Sequence, residues 1–121
     1  MRKSRKTAAL VAAALGSLVV AVSALGSSSK TAVAVTAGKP AEFKFTLSKT
    51  AAVKGFVSFQ VTNKGKLGHD FKIAGKKTTL VKPGKKATLN VTINKPGKYQ
   101  FLCTVTGHAA AGMKGTFTVK K

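Results

Sequence analysis

From Thr31 to the C-terminal lysines the apolar residues recur at every second position. This period of two, where a helix would need 3.6, commits the chain to β-structure. Phe43, Phe45 and Leu47 alternate with Lys44 and Thr46, and Val57, Phe59 and Val61 alternate with Ser58, Gln60 and Thr62. The same beat returns in Phe71 and Ile73, in Leu89, Val91 and Ile93, in Tyr99, Phe101 and Cys103, and in Gly115, Phe117 and Val119. Successive side chains of a strand point to opposite faces, so each set turns toward one shared core. Between the runs stand Gly38-Lys39-Pro40, Asn63-Lys64-Gly65, Gly75-Lys76-Lys77, Pro83-Gly84 and Pro96-Gly97, all turn chemistry. Short strands with regular punctuation and no helical stretch predict an all-β sandwich or barrel, without an internal repeat or a second domain.

The first 26 residues follow another logic. Arg2, Lys3, Arg5 and Lys6 precede an Ala/Leu/Val run from Ala8 to Val22, and small residues Ser23, Ala24 and Gly26 close it. Positive start, apolar centre and small-residue end describe a secretory signal peptide over residues 1–26; the competing reading is an uncleaved anchor, since Ala8 to Leu25 is just long enough to cross a bilayer, though rich in Ala and broken by Gly16, Ser17 and Ser23. Val22-Ser23-Ala24 and Ala24-Leu25-Gly26 are the two candidate recognition triplets. Residues 27–121 then form the working domain, with 28–38 passing from a Gly/Ser linker, Gly26 to Lys30, into a first strand. A domain of that size buries about 60–70% of its unfolded surface. One small core is all it can hold.

Four of the 22 basic residues lie in the leader; the other eighteen are all Lys, set against only Glu42 and Asp70. Lysine is a solvated point charge without the planar fork with which arginine reads phosphates and bases, so a dedicated nucleic-acid binder is excluded. The excess of positive charge suits encounter with acidic proteins or with an anionic cell-envelope surface. It also keeps exposed strand edges from pairing.

Cys103 is the chain's single cysteine, so no internal disulfide is open to it. An unpaired thiol in an exported domain calls for another role, and its neighbours supply one. Cys103, His108 and Met113 stand five residues apart on one stretch, and the only other histidine, His69, precedes the cysteine by 34 positions in Leu67-Gly68-His69-Asp70-Phe71. A thiolate, two imidazoles and a thioether form a soft-to-borderline donor set that suits copper and not magnesium, calcium or a hydrolytic zinc. Strand parity turns Cys103 to the side of Tyr99 and Phe101, and His69 to the side of Phe71 and Ile73, so both point inward from strand ends.

At these residues the chain resembles the cupredoxins, the blue-copper family that includes plastocyanin, azurin and amicyanin, over about Lys39 to Lys120. The shared pattern is Asn63-x-Gly65, His69 and a polar residue, Pro96-Gly97-x-Tyr99-x-Phe101-x-Cys103, His108, Met113 and a last strand. The resemblance implies a Greek-key β-sandwich of about eight strands holding one mononuclear copper ion. His69, Cys103 and His108 would be its trigonal ligands and Met113 the weak axial one. Four residues separate Cys103 from His108, as in azurin, and four separate His108 from Met113, as in plastocyanin. Gly68 stands where azurin brings a carbonyl toward the metal. Asp70 replaces the asparagine that ties the two ligand loops in the better-known members; it accepts from the same backbone donors but lacks the amide protons.

These readings lead to an exported type 1 copper protein in the periplasm or on the envelope face. It would pass single electrons between redox proteins, acidic ones by charge, and be no enzyme in its own right. A monomer is expected. Small residues around His108, namely Gly107, Ala109, Ala110, Ala111 and Gly112, together with Leu67 and Gly68, are expected to make a flat docking patch. The alternative is copper handling, as a chaperone or a sequestering protein. Only Met113 past the initiator methionine argues against the Met-rich, exchangeable site that such a task calls for. A binuclear copper centre would need a second cysteine, and Gly107 stands on the loop instead.

Overall fold

The computed structural model describes residues 30–121, so the expected signal peptide over 1–26 lies outside the described residues, as does the linker up to Ser29. Two sheets face each other, and among the described residues no helix occurs. The strands are β1 (Lys30–Ala37), β2 (Phe45–Leu47), β3 (Ala51–Val53), β4 (Gly55–Asn63), β5 (Lys72–Ile73), β6 (Lys76–Lys77), β7 (Lys86–Ile93), β8 (Gly97–Leu102) and β9 (Lys114–Lys120). One sheet runs β2-β1-β4-β7 and the other β3-β9-β8-β5-β6, the chain crossing between them several times. This is the expected all-β sandwich, with nine strands in place of about eight.

Three local features depart from the sequence reading. Lys30, counted as the end of the linker, is already the first residue of β1 and lies opposite Phe56 in the parallel pairing of β1 with β4. Gly75-Lys76-Lys77, read as one turn, is split: Ala74 and Gly75 make the turn with φ of 50° and 79°, and Lys76 and Lys77 pair back onto Ile73 and Lys72. Positive φ at both central residues matches the right-handed twist of a two-residue hairpin, which is why the strands can resume at once. Phe43, assigned to a strand, sits in the β1–β2 connection, and its ring meets that of His108 edge-on at 4.9 Å.

The core follows the alternation closely. Val33 and Val35 of β1, Val57, Phe59 and Val61 of β4 and Leu89, Val91 and Ile93 of β7 face Phe101 of β8 and Phe117 and Val119 of β9. Phe71 is the hub: its ring lies 5.1 Å from that of Phe59, 5.3 Å from Phe45 and 5.5 Å from Phe101. Offset and edge-on aromatic pairs at such distances each add about 0.5–1.5 kcal/mol beyond the area they bury. Tyr99 packs against the core and donates its hydroxyl to Lys95 O at 2.6 Å, as a half-buried tyrosine needs. The aromatic hub therefore anchors the chain two residues beyond His69, at one end of the sandwich.

Candidate metal centre

His69 leaves the loop after β4 and makes a two-way bridge with Val81, its N–H donating to Val81 O at 3.1 Å and its O accepting from Val81 N–H at 2.7 Å. Asn63 ties that loop down from the end of β4. Its side-chain amide donates to Leu67 O at 2.7 Å and Val81 O at 2.8 Å, while its Oδ1 accepts from Gly65 N–H at 2.8 Å. Both amide protons and the carbonyl oxygen of a fully buried asparagine are thereby used to shape the approach to His69.

Cys103 follows β8 directly. Its N–H donates to Met113 O at 3.1 Å, and Met113 N–H donates to His108 O at 3.1 Å, so the stretch from Cys103 to Met113 closes on itself. His108 N–H donates to Val105 O and Ala111 N–H to Gly107 O, which winds the middle of the loop into successive turns. Small residues permit that winding, and Gly107 and Gly112 adopt φ of 85° and 115°, which other residues rarely take.

The outcome is a convergence of three donors. His69 Nδ1 and His108 Nδ1 stand 3.2 Å apart, Cys103 Sγ lies 3.6 Å from His108 Nδ1 and 4.0 Å from His69 Nδ1, and all three residues are buried. Met113 is fully buried beside them and bonded through its backbone to Cys103 and His108. Burial pushes the Cys103 thiol above its ordinary pKa and pushes His108 below its own, the latter helped by the neighbouring His69. A dry thiol and a neutral imidazole facing a second imidazole fit a metal ion that takes the thiolate and displaces its proton. Soft sulfur and imidazole nitrogen together match copper.

Both carboxylates of the domain support this cluster. Asp70 accepts from Thr104 N–H at 2.6 Å and from the Thr104 hydroxyl at 2.5 Å, and its own N–H donates to Cys103 Sγ at 3.4 Å. As the sequence suggested, an aspartate ties the His69 loop to the Cys103 loop using only its acceptor oxygens. Glu42 was missed. Its Oε2 accepts from His69 Nε2 at 2.6 Å and from Leu67 N–H at 3.1 Å, and its Oε1 accepts from Lys66 N–H at 2.8 Å. The Lys66 N–H above all, with the His69 and Leu67 bonds, overrides partial desolvation and lowers the Glu42 pKa from 4.5 to about 2. The available signal was compositional: one of two acids among 22 basic residues.

Residues 8–119 match the family model for the cupredoxin-like domain. The chain belongs to the cupredoxin-like family. In sequence this cupredoxin is 44% identical over 43 residues to the copper-resistant cuproprotein CopI of Pseudomonas aeruginosa, an alignment spanning 36% of this chain and 24% of that one. It is 40% identical over 42 residues to auracyanin-B of Chloroflexus aurantiacus, spanning 35% of this chain and 18% of the relative. The matched stretch thus spans a quarter or less of either curated relative. In structure the cupredoxin superposes on auracyanin B with a TM-score of 0.66 at 20% identity, covering 80% of this chain and 94% of the other. Rusticyanin from Thiobacillus ferrooxidans gives a TM-score of 0.63 at 25% identity, covering 77% and 79%.

The surface above the centre is also partly as expected. His108 retains 8% of its surface to solvent whereas His69 has none, and Ala110 and Ala111 are exposed beside it. Leu67, expected in that patch, is 47% exposed, and Leu80, 56% exposed, covers Gly68 and extends the cupredoxin's apolar rim beyond the residues expected. Lys44 Nζ reaches to the edge of Gly112, and Lys66 flanks Leu67.

Proposed function

We propose that this protein is an exported mononuclear type 1 copper protein that carries single electrons between redox partners, with His69, Cys103, His108 and Met113 as the copper ligands. The carrying observation is the convergence of two imidazole Nδ1 atoms and one thiol sulfur within 4.8 Å of one another in a buried pocket. When bound, copper supplies a one-electron couple between its cuprous and cupric states. The chain's own residues do the rest. Cys103 gives up its thiol proton on metal binding, and the Asp70 N–H then faces a thiolate sulfur and stabilises it. Burial of all three donors excludes water, and the hydrogen-bonded loop from Cys103 to Met113 fixes their spacing.

Family membership and the blue-copper likeness support the carrier reading. Leu67, Leu80 and the alanines around His108 form the surface against which a partner would dock, and the lysines around them favour an acidic one. Such encounters bury less than about 1,200 Å² in total. The leader over residues 1–26 supports export to the periplasm or envelope face. Adding Cu(II) to the purified metal-free protein tests the reading. An intense visible thiolate band and a narrow copper hyperfine splitting in the EPR spectrum are expected; a pale solution with wide splitting overturns it.

Met113→Leu is expected to retain copper and to raise the reduction potential, because a weaker axial field disfavours the cupric state. The shift is about 59 mV for each tenfold change in the ratio of cupric to cuprous affinity. Leucine is close to methionine in volume, so the fold should lose less than about 1.5 kcal/mol. Redox titration with mediators reads the first effect and denaturant unfolding the second.

The stretch shared with CopI favours copper handling as a second reading. A competition experiment separates the two. A carrier retains Cu(I) against a moderate chelator for hours, whereas a handling protein releases it within seconds to minutes.

A further inference from the structure

Glu42 and His69 are 27 positions apart, yet the carboxylate meets the imidazole at 2.6 Å with the histidine fully buried. The same carboxylate holds the two backbone N–H groups of Lys66 and Leu67, so one side chain from the β1–β2 connection clamps both the loop that delivers His69 and the ring itself. Room for it is made by Gly65. A Cβ at that position would lie 2.3 Å from Glu42 Oε2 and 3.1 Å from His69 Nε2. Asn63 accepts the Gly65 N–H and so holds this gap open. Asn63 and Gly65, a few positions before His69, thus make room for a contact between its imidazole and the distant Glu42 carboxylate.

A carboxylate can only accept, so His69 Nε2 carries the proton and its Nδ1 presents a lone pair toward Cys103 and His108. We propose, on the copper reading above, that Glu42 is the positioning residue that fixes the His69 tautomer and lowers the reduction potential of the site. Its negative charge is transmitted through the Nε2–H and favours the more highly charged metal state. Asp70, the other carboxylate of the domain, bonds Thr104 and touches neither imidazole, so Glu42 alone acts on a ligand ring in this way.

Two measurements decide the matter, one of them without metal. In the metal-free protein, nitrogen-15 NMR of the imidazoles should find His69 Nε2 protonated and its proton far downfield. A His69 protonated on Nδ1 alone overturns the proposal, whatever copper does. In copper-loaded protein, Glu42→Gln keeps the length and one acceptor oxygen for His69 and Leu67, removes the charge, and turns the oxygen facing Lys66 N–H into a donor. It is expected to shift the ratio of cupric to cuprous affinity about tenfold, the lower end of what such outer contacts contribute, which is 59 mV upward for one electron.

Asn90→Lys, on the exposed outer side of β7, changes the net charge equally and serves as control. A potential that stays put in Glu42→Gln, or moves as far in Asn90→Lys, overturns the proposal. If the parent protein fails to turn blue with Cu(II), the copper reading falls instead, and the tautomer measurement still judges the role of Glu42. Should Glu42→Gln lose copper altogether, the NMR result together with the potential of Glu42→Asp decides, a value above the parent's, as the charge draws back from the ring, supporting the charge effect and a value at or below the parent's refuting it.

Discussion

Cys103→Ser yields a colourless protein on addition of Cu(II), with the visible charge-transfer band gone and the EPR hyperfine splitting widened. Serine places a hydroxyl where the sulfur stood. Its proton is far harder to remove than that of a thiol, so neither the soft donor nor the sulfur-to-copper transition survives. Cupric affinity should drop by several orders of magnitude, while the fold loses little, since Cys103 is one small buried side chain at the end of β8. Absorption and EPR spectra beside a thermal unfolding scan check both halves. Colour persisting in the serine variant would remove Cys103 from the ligand set and with it the proposed function.

Phe71→Ala is expected to remove about 3–5 kcal/mol of stability, the usual range for emptying a buried phenylalanine site. The upper part of that range applies here. Phe71 is fully buried, and its ring touches those of Phe45, Phe59 and Phe101, which belong to both sheets and cannot all close in on the void. A domain of this size has about 5–15 kcal/mol in all. The loss therefore consumes a large part of the whole. Urea unfolding of the metal-free protein measures it as a lowered midpoint at nearly unchanged slope. A second effect distinguishes this residue from other core aromatics: Phe71 lies two residues from His69, so settling of the chain into the void should shift that histidine and weaken copper binding too. Phe117→Ala, as deeply buried but four positions past Met113 and further from the other three donors, should cost comparable stability with less effect on copper.

Side-chain parity was legible because a strand offers only two faces. Val57, Phe59, Val61, Leu89, Val91, Ile93, Phe101, Phe117 and Val119 are all buried as the alternation requires, and the same rule turned His69 and Cys103 inward. Neighbours were not legible. Alternation states which way Val33 faces but not that β1 lies parallel to β4 or that β3 lies parallel to β9, pairings fixed by how the whole chain packs. Short elements escaped for a similar reason: Lys76 and Lys77 carry no apolar signal, and only the Ala74-Gly75 turn reveals them as a strand. Glu42 and Leu80 escaped because their partners, His69 and Gly68, lie 27 and 12 positions away, with no periodic pattern linking them.

The pair of short bonds from Asp70 to Thr104 has a kinetic consequence. One carboxylate spans the loops that carry the first histidine and the cysteine, so neither loop can drift relative to the other when the oxidation state changes. On the proposed copper reading, little nuclear rearrangement would then accompany each electron, and the activation barrier to exchange would stay low. Thr104→Val, which keeps the shape and the backbone donor but deletes the hydroxyl, would slacken that strap and slow self-exchange between two copies of the protein.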